Sequence, residues 1–274
     1  MLRSGLDLRR AFRAWSLAAG CAALLVGAPA RAQSEAPPAA EVPWGQIEAG
    51  LAQLAGGDGK AADASFRKAR SGDDSGLAAL LSGLTRAYVA YDRMMPKGVH
   101  SSLPASQRAH ELLDVANKSF HERPIPAAVL GDALTRIRQA LKQAPPAESP
   151  SLLRPLLCNL RLLSGDRATD GEPVLEGSGK SHDMGPLTVP RGVFTPTPLF
   201  TEGARKARLN SSLVVELIVD SEGCPASEKL LKSLPYGLAD QALATLRWHA
   251  YEPARYDGKA VAMKFTLTVG YFVS

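Results

Sequence analysis

Beyond residue 28 this 274-residue chain has no apolar run long enough to cross a bilayer, which takes about 20 residues. The part after that point is therefore expected to be soluble. Its five histidines are scattered, with no His-Glu-x-x-His pair to set two ligands on one helix face, so a zinc enzyme is not indicated. A nucleophile-elbow Gly-x-Ser-x-Gly and a Cys-His catalytic signature are missing as well. The stretch "EGSGKSHD" ends like a phosphate loop, but that loop needs a glycine where Val174 stands, so that its amides can wrap the phosphate. Gly177, Gly179 and Lys180 read as flexible linker instead. No constellation asks for an enzyme, and no cofactor or metal is expected.

Excess charge is also in short supply once its origin is traced. Five of the 32 basic residues and one of the 27 acidic residues lie in the first 32 positions, leaving 27 of one sign against 26 of the other. A nucleic-acid partner, which would need a basic surface, is not expected. Those 32 positions have the three parts of a secretory signal: the Arg-bearing "MLRSGLDLRRAFR", the apolar "AWSLAAGCAALLVGA" and the small-residue site "ARA". Cleavage after Ala32 is expected, with export to a Gram-negative periplasm. The alternative keeps residues 14–28 as an inner-membrane anchor, and only then is a membrane contact expected. Cysteine is rare, and the exported part retains Cys158 and Cys224. An oxidising compartment permits them to pair, but two cysteines so far apart leave the matter open.

What is present falls into two patterned parts. After a Pro- and Ala-rich linker at 33–43, residues 44–163 read as an all-α domain. Leu51, Leu54, Phe66, Leu77, Leu80, Leu81, Leu84, Leu113, Leu134, Ile137 and Leu141 recur at spacings of three and four, broken by "GGDG", "SGDDSG" and "RPIP". Gly50, Ala62, Phe66 and Ala69 resemble the small and aromatic positions that lock a tetratricopeptide hairpin, and Ala109, Leu113 and Ala116 a degenerate second. An irregular helical domain explains them equally, because any packed helix pair needs small residues where it touches. Residues 164–195, rich in Gly, Pro and charge, read as a flexible linker.

From residue 196 the period changes. "SLVVELIVDSEG" alternates Leu213, Val215, Leu217 and Val219 on one face and ends in a turn, and "CPASEKLLKSL" returns as a second strand. Leu238, Ala242, Leu243 and Leu246 then share one face of a helix. Pro253 and Asp257-Gly258 turn the chain into a last strand alternating Val261, Met263, Phe265, Leu267, Val269 and Tyr271 against Lys264, Thr266 and Thr268. With the helical "LFTEGARKARL" in front, the order is helix, strand, strand, helix, strand. The fold class is α+β: an all-α part, a linker and a small antiparallel sheet domain at 196–274.

This order and its markers resemble the C-terminal domain of the TonB energy-transducer family. The markers are Pro196, Pro198, Ala204, Arg205, Asp220, Gly223, Asp240, Ala242, Leu243, Trp248, Tyr251, Pro253, Ala254, Asp257, Gly258 and Val261. The resemblance implies a non-catalytic module in envelope transport whose partner is a protein, either an outer-membrane transporter segment or another envelope protein. It implies binding by strand addition at the last strand, around Lys264, Thr266 and Thr268. Trp248 and Tyr251 are expected to cover the open sheet, with Pro253 and Gly258 shaping the connection. His249 reads as a surface or helix-end residue. A short anchored transducer remains the alternative, and an enzyme with its site between the two parts is the alternative of another class.

Overall fold

The helical periodicity turns directly into burial. In the computed structural model, which describes residues 40–95, 103–144, 152–167, 171, 173–177 and 187–272, six helices precede the sheet. They are α1 (Trp44–Ala55), α2 (Gly59–Ala69), α3 (Leu77–Met94), α4 (Leu103–Glu122), α5 (Ala127–Gln143) and α6 (Leu153–Ser164). In α1 the buried positions Ile47, Gly50, Leu51 and Leu54 are spaced three and four apart, the stripe of a helix with one dry face. Asp58 starts α2 by accepting the amide of Ala61 at 3.0 Å. Gly50 is required by proximity, since a Cβ there would lie 2.4 Å from the ring of Phe66 on α2. The expected signal at 1–32, the first part of the linker at 33–43, and Gly179 and Lys180 lie outside the described residues.

Inside 164–195, read from composition as linker, three short strands form: β1 (Val174–Glu176), β2 (Leu187–Thr188) and β3 (Arg191–Phe194). Stretches of two to four residues are too short to carry a period. Then come α7 (Glu202–Lys206), β4 (Ser211–Val219), β5 (Pro225–Lys232), α8 (Leu238–Leu246), β6 (Ala250–Glu252), β7 (Ala254–Tyr256) and β8 (Lys259–Tyr271). The expected order of helix, strand, strand, helix, strand is present, with β6 and β7 inserted before the last strand. Asp257 and Gly258, both at positive φ, make the two-residue turn from β7 into β8.

The sheet runs β2-β7-β8-β4-β5, with β1 added to β8. Its central pair, β4 and β8, is antiparallel over nine residues from Ser211↔Tyr271 to Val219↔Met263. Leu213, Val215, Val269 and Tyr271 form one dry face, covered by Leu238, Ala242 and Leu246 of α8. Burying each such side chain fully is worth about 1.5–3 kcal/mol. The alternate residues Thr266, Thr268 and Gly270 are exposed.

The helical and sheet parts meet in shared contacts. Phe194 of β3, Cys224 and Ala250 belong to the helical core cluster, and the ring of Phe194 lies edge-on to Tyr88 at 4.9 Å and Tyr91 at 5.0 Å. Cys158 of α6 is disulfide-bonded to Cys224, resolving what the sequence left open. Beside it, Arg161 of α6 pairs with Asp220 at 2.5 Å and Glu222 at 3.0 Å, in the turn between β4 and β5.

Candidate functional site

β1 and β4 pair with the same two residues of β8, Met263 and Lys264, and so occupy opposite edges of that strand. Gly177 donates its amide to the carbonyl of Lys264 at 2.8 Å, which fixes the direction in which Lys264 presents its backbone: away from β4. Strand alternation then turns the N–H and C=O of Thr266, Thr268 and Gly270 the same way. No described segment pairs with those three residues on that side. The sites expected from sequence therefore divide. Thr266 and Thr268 sit on an open edge, whereas the outward carbonyl of Lys264 is already taken and its Nζ lies 2.7 Å from Glu176 and 3.9 Å from Glu216. The Glu176 carboxylate holds the Lys264 ammonium charged to higher pH than usual, and is itself held ionised to lower pH.

The open edge borders a cleft of about 690 Å³. Phe265, Leu267 and Val269 line it from β8, residues 190–198 form the facing wall, and Tyr91, Asp92 and Met95 contribute from the helical part. The wall is a Thr-Pro-Thr-Pro strap whose backbone is held by side chains. Tyr91 donates to the carbonyl of Thr195 at 3.0 Å, His110 to that of Thr197 at 3.1 Å, and the Thr197 amide donates to Ser106 at 2.8 Å. Pro196 and Pro198 fix the extended path and remove two donors, so side chains rather than a ladder satisfy what remains. Helices α3 and α4 thus place one side of the cleft and β8 the other.

His249 completes the strap. Of the two positions expected, the helix end is right, its amide closing on the carbonyl of Leu246 at 3.1 Å, and the surface is not: the residue is 4% exposed, because the chain leaving α8 turns inward under the strap. Nε2 donates to the carbonyl of Pro196 at 3.0 Å and Nδ1 accepts from the hydroxyl of Tyr251 at 2.8 Å, which fixes the tautomer. Burial, with a smaller contribution from His110, depresses its pKa to about 4. The unfolded state binds the proton from about pH 6.5 downward and the folded state only near 4, so stability present above 6.5 is lost as pH falls through that window. A loss approaching about 3 kcal/mol is expected between pH 7 and 4. Urea unfolding of wild type and His249→Gln across that range checks it, since the variant should lose most of this pH dependence.

The connection residues are also placed. Tyr251 packs with Leu217, Val219 and Phe265 on the sheet, while Trp248 packs against the helical cluster, its carbonyl accepting from Asn159 at 3.1 Å. Pro253 is buried and Gly258 occupies the hairpin turn at φ +75°. Tyr91, Ser106 and His110 are absent from the sequence reading, and Pro196 and Pro198 enter it only as family markers, not as part of a cleft wall. The polar members sit on otherwise apolar helix faces, and that was the one signal they gave. Among the described residues, no group of three or more His, Cys, Asp or Glu could hold a metal ion, and no helix is long and apolar enough to cross a membrane.

Residues 196–272 match the family model for the Gram-negative bacterial TonB protein C-terminal domain. The matched span contains the strap from Pro196 on, the hairpin turn with Asp220 and Gly223, and all but the last residues of the sheet domain. Over this span the chain carries a TonB-type C-terminal domain, which supports an envelope setting and a protein partner in general. No curated protein matches the chain.

Proposed function

We propose that this chain is a non-catalytic periplasmic interaction protein, accessory to TonB-type outer-membrane transport, that captures an extended segment of a partner protein by adding it to the edge of β8. The observation that carries this reading is the row of outward backbone groups at Thr266, Thr268 and Gly270, exposed and bordering a cleft to which β8 contributes the apolar side chains of Phe265, Leu267 and Val269. Main-chain bonds to those groups supply affinity, and alternate side chains of the partner reach Phe265, Leu267 and Val269. Lys264 marks the end of the row, its ammonium engaged by Glu176 and Glu216. The partner is an outer-membrane transporter segment or another envelope protein. Against an enzyme stands the buried imidazole that lines the cleft, His249: both its nitrogens are committed to Pro196 and Tyr251, which leaves neither to carry a proton to a substrate.

The helical part at 44–163 and the sheet domain at 196–274 work together in this reading, the first holding the strap that faces the second. The test is Thr266→Pro in the whole chain. Its amide faces away from β4, so the proline removes a bond to an incoming strand and none to β4. Purified outer-membrane transporters should be captured by immobilised wild type and not by the variant, with the melting temperature of the two within a few degrees. Capture by a folded Thr266→Pro protein at wild-type level would defeat the reading.

A further inference from the structure

The open row of backbone groups is the continuation of an edge whose first part is already filled. β1 lies parallel to β8 in the register Val174↔Ala262, Leu175↔Met263 and Glu176↔Lys264, and the amide of Gly177 extends the ladder to the Lys264 carbonyl. This is strand addition of the kind expected of a partner, performed by the chain on itself. It is also slight. β1 has three residues where β4 has nine paired to the same strand. Val174 and Leu175 are half-buried, and the side chain of Glu176 is 79% exposed. The sequence on either side, "TDGEP" and "GSGKS", is the glycine- and polar-rich composition of a tether. Gly177 itself lies so close that a Cβ would meet the Met263 side chain at 3.1 Å and the Lys264 carbonyl at 3.3 Å, which lets the segment seat flush against the strand.

We infer that β1 is an exchangeable occupant of the partner's site: the strand-accepting edge runs from Ala262 to Gly270, and an incoming segment displaces Val174, Leu175 and Glu176 to use all of it. This rests on the edge-addition reading above. An incoming strand confined to the open part meets the outward groups of Thr266, Thr268 and Gly270. Displacing β1 adds those of Ala262 and Lys264 and releases the Lys264 ammonium from Glu176 to an acidic side chain of the newcomer. Until then β1 competes from within the same molecule, at the effective concentration, on the order of millimolar, that a short connection gives an intramolecular ligand, and weakens every partner by the same factor. The device is self-masking: it covers part of a hydrogen-bonding edge that would otherwise template aggregation.

The experiment uses the chain's own segment as ligand. Because Gly177 donates to β8 and pairing alternates, Leu175 also turns its backbone groups toward that strand, and Leu175→Pro removes a donor there. A fluorescent synthetic peptide of sequence GEPVLEGSG, residues 171–179, is titrated into full-length wild type and Leu175→Pro, and amide exchange is followed at Lys264 and Thr266. The expected result is loss of Lys264 protection in Leu175→Pro and peptide binding at least about tenfold tighter than to wild type, abolished by adding Thr266→Pro. Equal affinity of the two proteins, with Lys264 unprotected in the variant, overturns the inference and leaves edge addition standing. Lys264 protection persisting in Leu175→Pro overturns it too, since the strand is then not exchangeable. If Lys264 is unprotected and neither protein binds, the edge-addition reading itself fails.

Discussion

Arg161→Ala is expected to lower the free energy of unfolding by about 3–5 kcal/mol, the cost of leaving a buried carboxylate without its counter-charge. Arg161 and Asp220 are each 5% exposed at the side chain and 2.5 Å apart. Asp220 cannot swing to solvent, because its other oxygen accepts the amides of Glu222 and Cys224, both at 2.9 Å, and so shapes the turn between β4 and β5. Asp166 at 3.2 Å and Glu222 at 3.0 Å also lean on the same guanidinium, and Arg138 compensates these two, Glu222 at 2.7 Å and Asp166 at 3.6 Å. Truncating Arg161 therefore leaves Asp220 charged, desolvated and held in place. Arg161→Met with Asp220→Asn should recover most of the loss, because the amide oxygen of Asn still accepts the two turn amides while no charge is buried. Urea unfolding of the wild type, the single variant and the pair measures this. A loss below about 1 kcal/mol in the single variant would place the pair in a far more solvated setting than its burial indicates.

Asp220 also marks where sequence reading reached and where it stopped. The alternation of Leu213, Val215, Leu217 and Val219, and of Met263 to Tyr271, was sufficient to read β4 and β8, because a strand with one dry face writes its period directly into the sequence. The helices were legible for the same reason. Asp220 and Gly223 were readable as a turn signature, but not as a docking point. Gly223 sits at φ +88°, its carbonyl accepts the amide of Tyr251 at 2.9 Å, and a Cβ there would lie 2.0 Å from the Tyr251 carbonyl oxygen. That closeness belongs to residues 28 positions apart and has no local trace. Arg161 is one polar residue in the apolar "LLCNLRLL", and nothing in the sequence says that the face it shares meets a carboxylate 59 residues on.

The candidate site follows the same rule. The outward position of Thr266 and Thr268 is legible because apolar and polar residues alternate along β8. The occupant of Lys264 was missed because β1 is three residues long, and the strap was missed because its hydrogen bonds come from α3, α4 and the segment after α8. Elements that carry a period can be read one at a time. Contacts that join elements become visible when the chain is folded.

Removing the Cys158–Cys224 bridge, by reduction or by Cys158→Ser with Cys224→Ser, should destabilise the protein by about 4 kcal/mol, the loop-closure entropy expected for a crosslink of this span. The bonded residues are 66 positions apart. For a chain of this size that corresponds to a fall in melting temperature of roughly 10 °C. The crosslink and the Arg161 pair hold the same turn: the amide of Cys224 rests on Asp220, and Arg154 donates to the carbonyl of Glu222 at 2.6 Å between them. Their losses should therefore not add. Once the turn has been freed from α6 by loss of the bridge, Asp220 can take on water, and truncating Arg161 costs less than it does in the crosslinked protein. A double-mutant cycle between the cysteine pair and Arg161→Ala should return a coupling of about 0.5–3 kcal/mol. Additive losses would mean that the bridge and the ion pair dock the turn independently, and that the helical part grips the sheet domain at two separate points.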